Sequence, residues 1–226
     1  MEINSYVQFI PAYWLPQCNP VWDSFVHLAS KHFFHETETI VDQYSPRGGV
    51  YYLQKGSAKC VYLSLQGHEK VLYYCKGRAL FSDGPGVSNR STTSSVTALT
   101  KCIVYRFPRD LIIDSLVCNH EIVRDLLFSL ASKVCMFAQQ VQGICTFDVE
   151  QAVSRILYWL LTREGKILHR TDPNLTRQDI ANMLGVHRVT IVRALMKLKE
   201  KGILLRFTKH DLNVADINML KANAHL

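Results

Sequence analysis

The chain has 226 residues, 48% of them hydrophobic and 20% charged, with a net charge of +7. This composition excludes a disordered chain, and the length allows one large domain or two modest ones. No apolar run approaches the roughly 18 residues of a membrane-spanning helix. The seven cysteines are scattered with no CxxC pair, which argues against a disulfide framework, a zinc site or a thiolate-held iron–sulfur cluster. The opening MEINSYVQFIPAYW has no basic region ahead of an apolar core, so no export is expected and the protein reads as cytoplasmic, with reduced thiols.

Residues 36–108 carry a β pattern. Short apolar runs at 50–53, 60–65, 71–75 and 102–107 are separated by Lys55-Gly56, Gln66-Gly67 and Lys76-Gly77, where glycine supplies turn angles that other residues avoid. Short strands at this spacing predict a sandwich or jelly roll. The run SDGPGVSNRSTTSS at 82–95 is the one long polar stretch and is predicted to be a functional loop.

Residues 119–144 predict one long helix, capped by Asn119 with Glu121 in its first turn. Val123, Leu127, Leu130, Val134, Phe137, Val141 and Ile144 follow one another at spacings of four and three, an unbroken heptad seam. Such a seam asks for a second helix, and a homodimer is the simplest source. Ile122 and Leu126 widen the apolar surface, so the helix is also expected to face the β domain.

Residues 148–226 form a basic module. Within 176–209 there are eight basic and two acidic residues, which points to a polyanionic partner. Asp148-x-x-Gln151 predicts the start of a helix over 149–162, ended by Gly165. Thr176-x-x-Asp179, stapled by Leu175 and Ile180, opens a short helix that stops at Gly185, and a second helix follows over 188–201. Ile180, Leu184, Val186, Ile191 and Ala194 are predicted to bury between the two, with Ala181 at their closest approach. This is helix-turn-helix spacing. Residues 203–207 and 212–214 predict a small hairpin after it.

Helix-turn-helix proteins read double-stranded DNA, so ten residues are candidate contacts. Thr176, Arg177 and Gln178 open the first helix. His187, Arg188, Val189, Thr190 and Arg193 occupy the start of the recognition helix, where side chains meet base edges. Arg206 and Lys209 of the hairpin suit phosphates. No Ser/His/Asp spacing, phosphate loop or metal-ligand cluster accompanies them, so a binding protein is expected rather than an enzyme, with no cofactor or metal.

The segments YYLQKGSAKCVYLSLQGHEKVLYY, the heptad helix and TRQDIANMLGVHRVTIVRALMKLKEKGIL together resemble the cyclic-AMP receptor protein/FNR superfamily. The resemblance implies an α+β protein in three parts: a β jelly-roll effector domain over 1–118, a dimerisation helix over 119–145 and a winged helix-turn-helix over 146–226. It also implies a homodimeric transcription regulator that works with RNA polymerase and is gated by a small signal. FIPAYWLP, EKVLYYCKG, SKV and GVHRVT are similar to the CprK-type chlorophenol-responsive regulators of halorespiration. That resemblance implies an activator of the CprK kind. Its effector would be a small aromatic such as a halogenated phenol, contacted by Tyr73 or Tyr74, Lys133 and the position held by Leu130; from the residues themselves, Tyr73, Tyr74, Phe81 and Phe137 could supply its aromatic walls. Lys133 would hold the phenolate.

Several features depart from these patterns. Phe81-Ser82-Asp83 stands where cyclic-nucleotide sensors carry Gly-Glu, although Arg90-Ser91 is kept. Leu130 stands where the chlorophenol branch has tyrosine. No cysteine follows Cys145, so that branch's disulfide to the DNA-binding domain cannot form. Thiol sensing through Cys18, heme ligation by Cys75, His68 or His120, and cyclic-nucleotide binding remain open alternatives.

Overall fold

A computed structural model of the chain describes residues 13–46, 49–114, 116–162, 167–171 and 174–226. The described residues fall into two compact units, Tyr13–Ala138 and Gln139–Leu226. The division lies inside the long helix, whereas sequence patterning sets the boundaries at its two ends.

The first unit is a jelly roll. Strands β1 (Ser30–Phe34), β2 (Thr39–Val41), β3 (Val50–Lys55), β4 (Ser57–Leu63), β5 (Glu69–Lys76), β6 (Ala79–Phe81), β7 (Ser95–Ala98) and β8 (Cys102–Phe107) form two four-stranded antiparallel sheets, ordered β1-β8-β3-β6 and β2-β7-β4-β5. The apolar runs marked the central strands. The strands β1, β2, β6 and β7 escaped notice because they are short or polar: SKHFF is mostly exposed, as expected of an edge. At the β3–β4 turn, Gly56 has φ +98°, and a Cβ there would lie 2.4 Å from the Lys101 carbonyl oxygen, so no other residue fits.

The core of this unit gathers Trp22, Val50, Tyr52, Leu80, Phe107, Ile112, Ile122 and Leu126. Trp22 comes from a 3-10 helix, Pro20–Leu28, that precedes the sheets. The stretch 82–95, read from sequence as a loop, contains a helix, α1 (Asp83–Ser88). Ser82 and Asn89 flank it in the left-handed region, at φ 54° and 56°. Helix α2 (Arg109–Asp114) leads to α3 (His120–Thr146), whose first N–H groups donate to Asn119 Oδ1 at 2.9 and 3.2 Å. The buried face of α3 carries Ile122, Asp125, Leu126, Ser129, Lys133 and Met136.

The second unit packs helices on a small sheet. Helix α4 (Val149–Thr162) opens with Asp148 and Gln151 capping each other reciprocally; the predicted stop at Gly165 lies outside the described residues. Strand β9 (Arg170–Thr171) precedes α5 (Arg177–Leu184) and α6 (Arg188–Glu200), and β10 (Leu204–Phe207) and β11 (Leu212–Val214) follow. The predicted hairpin is therefore a three-stranded sheet, ordered β10-β11-β9. A last helix, α7 (Ile217–Asn223), docks on α4 through Asn223 Nδ2 to Ser154 Oγ at 2.9 Å. Val153, Ile156, Leu157, Leu160 and Leu161 of α4 bury with Ile180, Met183, Ile191, Leu195 and Leu198 to form its core. Leu184 and Val186, expected to be buried, are half-buried. Among the described residues no helix is long and apolar enough to cross a membrane.

Candidate functional site

In the jelly-roll unit, β5, the segment 82–85, residues 92–94 and α3 border a half-open cavity of about 260 Å³. Leu72, Tyr73, Leu130, Val134 and Phe137 supply apolar wall, and Ser82, Thr92, Thr93 and Ser94 supply hydroxyls. Four of the six predicted effector contacts, Tyr73, Leu130, Lys133 and Phe137, line this space. Tyr73 and Phe137 approach to 6.4 Å between ring centroids.

Tyr74 and Phe81 lie elsewhere. Tyr74 follows Tyr73 on β5 but does not line the cavity. Tyr74 instead stacks under Trp14, with 4.6 Å between ring centroids, which buries it on the outer face. Phe81 is wholly buried against Tyr51, its partner across β6 and β3, at 5.4 Å.

The largest departure from the sequence reading is at Lys133. Its ammonium is buried and donates to Asp83 Oδ2 at 2.7 Å, Asp83 Oδ1 at 2.9 Å, Ser129 Oγ at 2.7 Å and the Leu80 carbonyl at 3.1 Å. Ser129 Oγ in turn donates to Asp83 Oδ2 at 2.7 Å, and Gly84 N–H to Oδ1 at 3.2 Å. Lys133 is thus the inner half of a closed ion pair, not a cation awaiting a partner. Sequence reading missed Asp83, although it is the only acidic residue in the polar run 82–95.

Other polar groups border the pair. Lys133 Nζ sits 5.8 Å from the Tyr73 ring centroid. Burial pushes the Tyr73 hydroxyl well above its ordinary range, with Cys60 and Asp83 adding to the effect. The Cys60 thiol, also pushed up by burial, donates to Ser94 Oγ at 3.1 Å. Among the described residues no group of three or more His, Cys, Asp and Glu side chains is placed to hold a metal. The arrangement is suited to holding a small, mainly apolar molecule.

In the second unit, Thr176, Arg177, Gln178, Arg188 and Lys209 surround one concavity of about 220 Å³ with Phe207 and Thr208. Thr176 and Asp179 form the capping box: Thr176 Oγ1 accepts from Asp179 N–H at 3.1 Å, and Asp179 Oδ2 accepts from Thr176 N–H at 2.7 Å. Gly185 ends α5 at φ 69°, turning the chain into α6. Ile191, Ala194, Leu195 and Leu198 bury one face of α6, so Arg188, Val189 and Arg193 project on the other, with Thr190 half-buried. His187 occupies the exposed N-cap position.

Two of the predicted DNA contacts have protein partners. Arg177 Nη2 donates to the Phe207 carbonyl at 3.1 Å, which ties α5 to β10. Arg206 Nε lies 3.3 Å from Asp211 Oδ2, while Arg170 Nε holds Oδ1 at 2.7 Å, so Asp211 orients two exposed guanidinium groups. Arg170 was not among the expected contacts, because the two-residue strand that carries it has no sequence signal.

The heptad seam is largely uncovered. Leu127, Val134, Val141 and Ile144 are each 60–68% exposed, and Val123, Leu130 and Phe137 are half-buried.

The cyclic nucleotide-binding domain family matches residues 31–116, and the Crp-like helix-turn-helix domain family matches residues 151–222. The cAMP-activated global transcriptional regulator CRP of Haemophilus influenzae is 26% identical over 195 residues, covering 83% of this chain and 85% of that protein. Among solved structures, the c-di-GMP-responsive global regulator CLP of Xanthomonas campestris is similar with a TM-score of 0.75 at 18% identity, covering 86% of this chain and 98% of that one. CprK complexed with OCPA is similar with a TM-score of 0.73 at 21% identity, covering 91% and 96%. These structures share the fold: a β-rich effector-binding domain, long helices and a C-terminal helix-turn-helix. With the two domain families in this order on that architecture, the chain belongs to the CRP/FNR superfamily of DNA-binding transcription regulators.

Proposed function

We propose that this regulator is a cytoplasmic homodimeric activator. In this reading it senses a small aromatic such as a halogenated phenol and binds an A/T-rich inverted repeat of the TTAAT type. The three parts are the effector domain over 1–118, the dimerisation helix over 119–145 and the DNA-binding domain over 146–226, with RNA polymerase as the downstream partner. The observation that carries the effector reading is the cavity itself, which is single-ring in scale, aromatic on two sides and lined by Tyr73, Leu130, Lys133 and Phe137. Likeness to CprK, whose solved complex holds OCPA, supports the same class. The exposed seam of α3 supports the homodimer, since apolar stripes of this length are rarely left in water. The basic concavity beside α6 supports the operator contact.

Cyclic-nucleotide sensing is the second reading, favoured by the domain match at 31–116. Against it, Arg90 and Ser91 are exposed and do not line the cavity. A thermal-shift screen of halogenated phenols, plain phenol, cyclic AMP and cyclic di-GMP separates the two, because a ligand that binds only the folded protein raises its stability. A shift with halogenated phenols, together with tighter binding to a TTAAT-type repeat, is expected. A shift with nucleotides alone would sink the aromatic reading.

A further inference from the structure

The Asp83–Lys133 pair bears on which form of a phenol the cavity takes. Asp83 is 1% exposed and Lys133 7%. A carboxylate offers about four lone-pair positions, and here Lys133 takes two, Ser129 one and the Gly84 N–H one. The ammonium is spent on the carboxylate, the Ser129 hydroxyl and the Leu80 carbonyl. The cluster is therefore saturated and electrically neutral within itself. An anion entering the cavity would lose its hydration and gain little, because the attraction of Lys133 is offset by the repulsion of Asp83. An uncharged hydroxyaromatic loses far less. Its ring meets Leu130, Phe137 and Tyr73, and its hydroxyl can exchange hydrogen bonds with Thr93 and Ser94 in the same lining.

We infer that Asp83 is the charge-selecting residue of the effector cavity, and that the site takes a phenol in its protonated, neutral form and discriminates against the phenolate. This rests on the cavity being the effector site. It reverses the role that the sequence resemblance gives to Lys133, whose charge is matched inside the protein.

The other titratable groups that feel the pair are Tyr73, Cys60, Cys75 and Cys18. Burial pushes all four upward, Cys18 and Cys75 to about 12, so each stays uncharged near neutral pH. Between about pH 6 and 8, a phenol with chlorine at both ortho positions ionises while these groups do not.

Isothermal titration of the full chain with that dichlorophenol tests the inference, with plain phenol as the uncharged control. Wild-type affinity should fall about tenfold per pH unit above the ligand's own ionisation, while plain phenol binds independently of pH. Asp83→Asn leaves Lys133 as an uncompensated cation, so its preference should turn to the phenolate and its affinity for dichlorophenol should rise with pH. Wild-type affinity that rises through the ligand's ionisation overturns the inference, even if Asp83→Asn fails to fold. A folded Asp83→Asn protein that keeps the wild-type profile overturns it too. If neither phenol binds either protein, the effector reading falls and this inference with it.

Discussion

Trp22 Nε1 donates to Asp125 Oδ2 at 2.7 Å across 103 residues of sequence, joining the 3-10 helix at the start of the jelly roll to the buried face of α3. Asn19 completes the cap on the carboxylate, with its N–H and Nδ2 both 3.1 Å from Oδ1. Asp125→Ala strands these donors in the interior, which costs roughly 2–4 kcal/mol for a charge-accepting hydrogen-bond set. Trp22→Phe removes the main donor, so the double variant should lose less than the sum of the singles. Urea midpoints for the three proteins check this; strictly additive losses would show that the contact carries no energy.

The buried pair makes a second, related prediction. Lys133→Met leaves Asp83 buried without its cation, and such breakage costs about 3–5 kcal/mol. Lys133→Met combined with Asp83→Leu removes both charges and should recover most of that loss. Thermal melting separates the outcomes. A single variant as stable as wild type would mean that the pair opens freely to water.

Leu130 and Phe137 line the cavity, so charges there would damage the effector site and the seam together. Leu127 and Val141 are exposed seam positions that do not line it. Leu127→Glu with Val141→Glu removes four apolar side chains from a two-fold interface and adds like charges. At about 1 kcal/mol per partly exposed side chain, the dimer dissociation constant should rise about a thousandfold. Sedimentation should show a monomer, and operator binding should be lost with it. A double variant that stays dimeric would exclude the seam as the interface.

Val189 is 59% exposed on the first turn of α6, beside Arg188. Its methyl groups can meet a thymine methyl but cannot accept a hydrogen bond from cytosine. Val189→Glu should therefore move one position of the half-site toward G·C by roughly 1–3 kcal/mol, while Arg193→Ala weakens binding more evenly. Selection from random DNA reads both, and a TTGAT or TGTGA consensus for the native protein would contradict the role given to Val189.

Cys75 is wholly buried, and burial lifts its thiol from an ordinary 9.0 to about 12. A raised value means that the folded state holds the proton more tightly. The stabilisation is complete below pH 9.0 and declines as the pH climbs toward 12, by up to about 1.4 kcal/mol per pH unit. Cys18, lifted to the same level, adds to the slope. Melting temperature should fall above about pH 9, and Cys75→Ala should flatten that fall despite a small packing loss. An unchanged slope would show that the thiol ionises without unfolding.

Local rules made much of this molecule readable from its residues. The capping pairs Asp148/Gln151 and Thr176/Asp179, the left-handed Gly185 and the four-three apolar spacing of α3 each act within a few residues, and each predicted feature stands in the structure. The helix-turn-helix and the central strands were legible for the same reason. Other features arise from contacts between distant segments and leave no periodic trace. Strand β9 is two residues long and pairs with β11, about 40 residues further on. Tyr74 lies outside the cavity, stacked on Trp14 from a segment 60 residues earlier. The pairing of Lys133 with Asp83 spans 50 residues. Sequence identified a lysine on a helix near aromatic residues. Only the folding of residues 82–85 against α3 decided that its charge is met by a buried carboxylate, because a charge taken out of water must find its partner wherever the tertiary structure brings one.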